Sequence, residues 1–127
     1  MNAIVSRFPK SLSPFLSVAQ RHALGDALRG EEGEWFTAKL AEVAAVIEGM
    51  PTTYQTDGTD AVVYLHYFTG GCDWYITEKD VDDVVDQAFG IADLGYGGEM
   101  GYISIREIVA TGAELDLHWT PKPKSQI

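Results

Sequence analysis

The stretch that most constrains the fold spans residues 61–78 and reads AVVYLHYFTGGCDWYITE. Its first part, 61–68, is apolar or aromatic except for His66, and such side chains favour a pleated, half-buried strand. Gly70 and Gly71 supply the backbone freedom of a tight turn, and residues 73–78 form a second strand-like run. This pattern predicts a β-hairpin. The first strand is apolar on both faces, so we expect it to be covered on both sides.

Two helices are expected before the hairpin. The first begins at Ser13 and Pro14, because serine caps helix ends and proline suits the first helical position, and it ends near Gly30. The second begins with the acids of residues 31–34, which the helix dipole favours, and ends at Gly49. Their apolar stripes predict a helical hairpin that covers the sheet.

Short elements are expected after the hairpin. The sequence TEKD at 77–80 is similar to a capping box and predicts a helix over 81–88. Ser104 and Glu107 match the same motif, so a second short helix is expected to run to about Ala110. Runs of strand-forming residues predict further strands at 89–94, 100–104 and 113–120.

The fold class predicted from these elements is α+β, with an N-terminal helical hairpin on an antiparallel sheet of four to five strands and one or two short inserted helices. The 127 residues suit a single domain. We expect an irregular lead-in at 1–12, the helical hairpin at 13–50, the sheet with its short helices at 61–120 and a loose tail at 121–127. No apolar run is long enough for a membrane span, no export signal is recognisable and there is one cysteine, so a cytoplasmic location is expected.

The formal charge of −10 is distributed unevenly. Residues 51–116 hold thirteen acids and two bases, a net charge of −11. Phosphates would be repelled by this segment, which disfavours direct nucleic-acid binding. The charge is compatible with a basic protein partner or with occupation of a site that normally receives DNA, but the plainest interpretation is solubility alone.

Acidic residues near the hairpin, with one tyrosine, form the candidate partner-binding set. They are Glu78, Asp80, Asp82, Asp83, Asp86, Asp93, Glu99 and Tyr96. Closely spaced carboxylates can also bind a hard divalent cation, but this run lacks the ligand order of a calcium loop. The plainest interpretation is a solvated helix face.

Other polar residues give weaker signals. His118, flanked by Glu114 and Asp116, is suited to acid–base chemistry, but the sequence places no nucleophile beside it. Cys72, His66 and His118 could supply three zinc ligands, although no recognised ligand spacing supports this. We therefore assign no catalytic residue, no metal ligand and no cofactor from the sequence.

Five segments between residues 62 and 121 carry a family resemblance: LHYF, DWYITEKD, QAFGIADLG, GEMGYISIREI and ELDLHWTP. They resemble an uncharacterised family of small bacterial proteins carried on plasmids, integrative elements and phages. The family's marks fall on Trp74, Tyr75, Glu78, Asp80, Phe89, Gly90, Met100, Gly101, Tyr102, Ser104 and Glu107. This resemblance implies a mobile-element context and no particular chemistry.

The leading hypothesis is a non-enzymatic accessory protein of a mobile element that acts by protein–protein contact. In its sharpest form it is an acidic inhibitor that mimics nucleic-acid charge against a host defence or DNA-binding protein. One alternative is a small hydrolase or metal-dependent enzyme that uses Glu78, Asp80, Glu107 or His118. Another is a structural or dimerising module.

Overall fold

The computed structural model of the chain describes residues 9–53, 61–81 and 85–127. It confirms the α+β arrangement, with a helix pair before an antiparallel sheet. The helices are α1 (Val18–Arg29), α2 (Gly33–Gly49) and α3 (Ile105–Ala110). The strands are β1 (Val62–Val63), β2 (Leu65–Thr69), β3 (Cys72–Glu78), β4 (Ala88–Asp93), β5 (Gly98–Ile103), β6 (Glu114–Leu115) and β7 (Lys122–Pro123). In the described ranges, β5-β4-β3-β2-β6 is the order of a five-stranded sheet, and β1 pairs with β7.

The first helix begins later than the sequence pattern predicts. The Ser13–Phe15 segment forms a single 3-10 turn, and Leu16 then adopts an extended conformation with ψ 144°. Ser17 is the true cap, because its hydroxyl accepts a hydrogen bond from the Gln20 N–H at 3.0 Å. The predicted single helix is therefore a turn followed by α1, whereas the second helix ends at Gly49 as predicted.

The helix pair packs on one face of the five-stranded sheet, which we call the inner face. The core joins helix residues Leu24, Leu28, Leu40, Ala44 and Ile47 to the sheet residues Leu65, Tyr67, Trp74, Ile76 and Leu115. The buried Tyr67 hydroxyl also donates a hydrogen bond to the Phe15 carbonyl. The prediction that the helices cover the sheet is confirmed.

The central hairpin forms as predicted, with a two-residue turn. Leu65 lies opposite Ile76, and Thr69 lies opposite Cys72 at the turn. Gly70 has φ +53°, a conformation that glycine adopts without steric cost.

The covering of the first hairpin strand is a correction to the sequence prediction. Leu65 and Tyr67 are 3% and 0% exposed, but Phe68, on the opposite face, is 39% exposed. Both helices of the pair lie on the inner face, and in the described part of the chain the other face is only partly covered. The strand also breaks at Tyr64, since β1 leaves the sheet to pair with β7.

The helix predicted over 81–88 is wrong where the structure describes that segment. Thr77 does not cap a helix, because it lies in β3 and its hydroxyl donates to the Phe89 carbonyl at 3.1 Å. Val85 has φ +54°, outside the helical region, and β4 already begins at Ala88. Pairing of β3 with β4, which includes a register shift between Ile76 and Glu78, overrides the local capping pattern.

The second capping-box prediction is confirmed by α3. The Ser104 hydroxyl accepts a hydrogen bond from the Glu107 N–H at 3.2 Å, as an N-cap does. Ile105 and Ile108 are buried on one side of the helix. Gly112, with φ +97°, follows the last turn.

The last predicted strand is shorter than expected. It ends at Leu115, because the Asp116 carboxylate accepts a hydrogen bond from the His118 N–H at 2.9 Å. The Trp119 N–H then donates to the Asp116 carbonyl at 3.3 Å, which forms a turn in place of the strand.

The tail expected to be loose is held by the start of the sheet segment. Pro123 lies opposite Val62 in the β1–β7 ladder, and the Lys124 N–H donates to the Ala61 carbonyl at 2.9 Å. The Trp119 ring N–H donates to the Val63 carbonyl at 3.0 Å. These bonds give the tail backbone partners that its own sequence does not reveal. Residues 1–8 of the expected lead-in lie outside the described residues.

Candidate partner-binding site

The face of the five-stranded sheet that the helices leave uncovered carries rings and carboxylates together. We call this the outer face, and strand register places nine residues on it: His66, Phe68, Asp73, Tyr75, Phe89, Ile91, Asp93, Met100 and Tyr102. Phe68, Met100 and Tyr102 are 39%, 42% and 57% exposed. Exposed apolar side chains that share one face mark an interaction surface more often than exposed apolar residues scattered singly over a protein do.

His66 occupies the part of the outer face nearest β6, between two carboxylates. Its Nε2 lies 2.8 Å from Asp73 Oδ1, and its Nδ1 lies 3.0 Å from Asp116 Oδ2. Tyr75 stacks on the imidazole at 4.9 Å with an interplanar angle of 12°, and the Trp119 ring lies at 5.1 Å. A carboxylate only accepts hydrogen bonds, so both contacts are hydrogen bonds at once only when both ring nitrogens carry protons.

Backbone pairing brings the His66 imidazole and its two carboxylate partners together. β2 and β3 pair so that His66 lies opposite Tyr75 and Phe68 lies opposite Asp73. Asp116 directly follows β6, and its N–H donates to the His66 carbonyl at 2.8 Å. The imidazole is therefore held by one carboxylate from the neighbouring strand and one from a distant turn.

Two carboxylates lie opposite each other on the outer face, where β3 begins and β4 ends. Asp73 on β3 and Asp93 on β4 are directly opposite partners. Burial raises the pKa of Tyr75, and the charges of Asp73 and Asp93 raise it further, so both carboxylates act on the same phenol. Like charges directly opposite destabilise a strand pair, and a cation placed between them would relieve the repulsion.

The structure divides the acidic set proposed from the sequence. Glu78 and Asp80 are buried, at 5% and 9% exposure. The Asp80 carboxylate accepts hydrogen bonds from the N–H groups of Asp86 and Gln87 at 3.1 and 2.9 Å. Asp80 thus holds the backbone that leads into β4, and both acids are largely withdrawn from the surface.

Asp86 belongs to a separate contact at the start of α3. It forms an ion pair with Arg106 and accepts a hydrogen bond from the Ser104 hydroxyl at 3.2 Å. Asp82 and Asp83 lie outside the described residues.

The remaining members of the set lie around the β4–β5 turn. The Asp93 carboxylate accepts a hydrogen bond from the Gly95 N–H at 2.9 Å, which shapes the turn. Tyr96 is 97% exposed, and Glu99 is also exposed. Asp93 lies opposite Gly98 at the start of β5, so Tyr96 and Glu99 lie at the end of the sheet where Asp93 pairs with Asp73.

The groups considered for enzymatic chemistry are distributed over different elements. His118 lies in the turn after β6, where its ring is 6.0 Å from that of Trp35, whereas Glu107 is in the first turn of α3. Cys72 is a free thiol at the hairpin turn. Over the described ranges, no three histidine, cysteine, aspartate or glutamate side chains are grouped so that they could hold a metal ion.

The described residues also form a cavity of about 630 Å³ away from the outer face. Lys10, Pro14, Lys79 and Val85 are among its lining residues. The Lys79 ammonium already donates to the Ile47 carbonyl at 2.7 Å, so this lysine caps the end of α2. The cavity therefore adds no chemistry to the carboxylate pair.

Asp73 and Asp116 are site residues that the sequence pattern alone did not identify. The period-two pattern of the hairpin places Asp73 on the same face as Tyr75, but only the register of a two-residue turn places His66 opposite that tyrosine. No local signal connects Asp116 to His66, because that contact depends on the pairing of β6 with β2.

In the part of the chain that the structure describes, no helix has the length and apolar character required to cross a membrane. Comparison with curated proteins and with solved structures finds no significant match. Comparison with family models finds that residues 35–120 match DUF2958, a family described as proteins of unknown function. This match covers most of the chain, including all but the first two residues of α2, all five strands of the main sheet and α3. The chain belongs to the DUF2958 family.

Proposed function

We propose that this protein acts by protein–protein contact, and that the outer face with the β4–β5 turn is the surface that binds a basic protein. The observation that carries the proposal is the Asp73–Asp93 pair beside Tyr75. In the described residues, Asp73 has His66 as its ionisable partner, and Asp93 has no ion pair. An arginine or lysine of a partner would supply the missing positive charge.

The rings around the pair favour arginine as the partner's anchor. Tyr75 and Phe68 flank Asp73 on the outer face, and Tyr102 is exposed two strands away. A guanidinium stacks on aromatic rings and forms two parallel hydrogen bonds with a carboxylate, so it matches both components of the surface. Tyr96 extends the surface at the β4–β5 turn, whereas Glu99 lies on the opposite face of β5.

In its finer form, the proposal is that the surface carboxylates replace the phosphates of a nucleic acid. The net charge of −11 in residues 51–116 supports this form, because a basic nucleic-acid-binding protein would be attracted to that segment. The mobile-element setting implied by the sequence resemblance supports a host DNA-binding or defence protein as the target. Both the inhibitory role and the setting are part of the proposal.

The test is capture of a basic DNA-binding protein from a bacterial lysate by the immobilised chain, followed by a salt titration. The Asp73→Asn/Asp93→Asn double variant should lose at least about tenfold in affinity for the captured protein, since two charge-assisted contacts are removed. The matched control is Glu31→Gln/Glu34→Gln, which removes the same charge from exposed residues before and within the first turn of α2.

A captured protein that is not basic, or binding indifferent to salt, would contradict charge mimicry. Equal losses in the two double variants would contradict the assignment of the outer face, because net charge alone would then account for the binding. Sedimentation of the free chain shows in the same series whether self-association competes with the partner.

A further inference from the structure

The two edge strands of the main sheet, β6 and β5, differ in whether other groups pair with their free backbone edge. β6 is only two residues long, and the Gln20 side chain of α1 hydrogen-bonds to the backbone along its free edge. The Gln20 amide nitrogen donates to the Leu115 carbonyl at 2.9 Å, and the Leu115 N–H donates to the Gln20 amide oxygen at 2.9 Å. A side-chain amide thus takes the place that a neighbouring strand would occupy.

Among the described residues, the edge formed by β5 has no comparable side-chain contact. All six of its residues pair with β4 in a continuous register from Gly98↔Asp93 to Ile103↔Ala88, without a bulge. Its sequence, GEMGYI, contains neither proline nor lysine, and Glu99 is its single charge. In the described ranges, no further strand pairs with it. Natural sheets usually protect such an edge with charges, proline or a bulge, so a long regular edge is a template for another strand.

The side chains along β5 indicate what kind of strand would pair there. Met100 and Tyr102 project on the outer face, and Glu99 projects on the other side of the strand. Arg106, the base nearest in sequence, is already paired with Asp86. An entering strand would therefore meet a carboxylate on one face and a thioether and a phenol on the other.

We propose that β5 binds an extended, arginine-bearing segment of a protein partner as a sixth strand of the sheet. This inference rests on the proposed function and specifies its mode: backbone hydrogen bonds give affinity, and side-chain alternation gives specificity. A basic residue of the segment lies beside Glu99. The residues on its other face lie beside Met100 and Tyr102, and they are apolar or arginine.

The probe is a synthetic peptide of about seven residues, a typical strand length, in which arginine and valine alternate. Two further versions carry N-methyl groups on either all arginine amides or all valine amides. Successive N–H groups of a strand point to opposite edges, so the arginine N–H groups all point to one edge of the peptide and the valine N–H groups to the other. When the peptide binds with its arginines facing Glu99, only one of these two sets of N–H groups faces β5. Fluorescence anisotropy should show that one methylated version binds at least about tenfold more weakly than the parent, and that the other binds similarly. Equal binding of all three peptides, or no binding of any, would overturn the proposal.

A charge reversal on the protein tests the same edge. Glu99→Lys places a lysine on the edge strand, a natural means of blocking strand addition, and should weaken peptide binding at least about tenfold. Glu31→Lys makes the same charge change before α2 and should leave most of the binding intact. Equal effects of the two variants would show that only net charge matters and would overturn the strand mode.

The two proposals fail in different ways. If the peptides fail while capture of a basic protein still depends on Asp73 and Asp93, the outer face is the binding surface and the β5 edge is not. If Glu99→Lys and one of the two methylation patterns weaken peptide binding as expected but Asp73→Asn/Asp93→Asn leaves capture unchanged, the edge stands and the outer-face assignment fails.

Discussion

Asp116 contacts His66 twice, once through the backbone and once through the side chain. Its N–H donates to the His66 carbonyl at 2.8 Å, and its carboxylate lies 3.0 Å from the imidazole Nδ1. The other carboxylate oxygen accepts the His118 N–H, so one aspartate ends β6 and orients the histidine of the outer face.

We expect Asp116→Ala to lower the free energy of unfolding by about 1–3 kcal/mol, because it removes the turn contact and one imidazole partner. Asp116→Asn should cost less, since an amide oxygen can still accept the His118 N–H. A double-mutant cycle with His66→Ala, measured by urea unfolding, should give a coupling of at least about 0.5 kcal/mol. Additive effects would show that the carboxylate–imidazole contact contributes nothing to stability.

Gly90 should tolerate no side chain. A Cβ at this position would lie 2.0 Å from the Tyr75 carbonyl oxygen, and that atom belongs to the backbone of the adjacent strand. Gly90→Ala should therefore lower the free energy of unfolding by more than about 3 kcal/mol or prevent folding, as severe steric overlap in a core does. A Cβ on Gly101, its register partner on β5, would meet nothing within 4 Å, so Gly101→Ala is the control and should cost less than about 1 kcal/mol. Similar thermal unfolding of the two variants would contradict this prediction.

Tyr67 should make the protein less stable at alkaline pH. Burial raises the pKa of Tyr67 well above its ordinary value of 10.0. Above that ordinary value the unfolded chain loses the phenol proton while the folded chain keeps it, so the free energy of unfolding falls as pH rises. Tyr67→Phe should reduce this decrease, although it also leaves the Phe15 carbonyl without its hydroxyl donor and lowers stability at neutral pH. Tyr96→Phe, at a 97% exposed position, is the control. Parallel pH profiles of wild type and Tyr67→Phe between about pH 9 and 12 would refute this assignment.

Gln20 should act as a strand-edge cap as well as a helix residue. Gln20→Leu leaves the N–H and the carbonyl of Leu115 without the amide, which should cost about 1–3 kcal/mol. Hydrogen exchange at the Leu115 amide should accelerate, while Gln126→Leu, at an exposed position, should leave it unchanged. Unaltered exchange in Gln20→Leu would show that the edge is protected by other groups.

The sequence predicts the elements whose signals are local. The Ser104 capping box specifies α3, because every contact of the motif lies within one helical turn. The motif at Thr77 fails for the opposite reason: the Thr77 hydroxyl bonds to Phe89, on a strand whose pairing no local motif encodes.

The candidate site is visible in the sequence only in part. Asp93, Tyr96 and Glu99 belong to the acidic set, and the structure places them at one end of the sheet. Asp73 does not stand out in the sequence, because its importance depends on lying opposite Asp93. Glu78 is acidic in the sequence but buried in the structure, and the register shift beside it changes the face of the strand on which side chains lie.

The pairing of β1 with β7 has a mechanical consequence. The Ala61 carbonyl and the Lys124 N–H are bonded to each other at the open end of this two-residue ladder. A force that pulled these two residues apart would break the hydrogen bonds of the ladder one after another, starting from that end. The ladder would separate at low tension, and the five-stranded sheet would still be intact when it did.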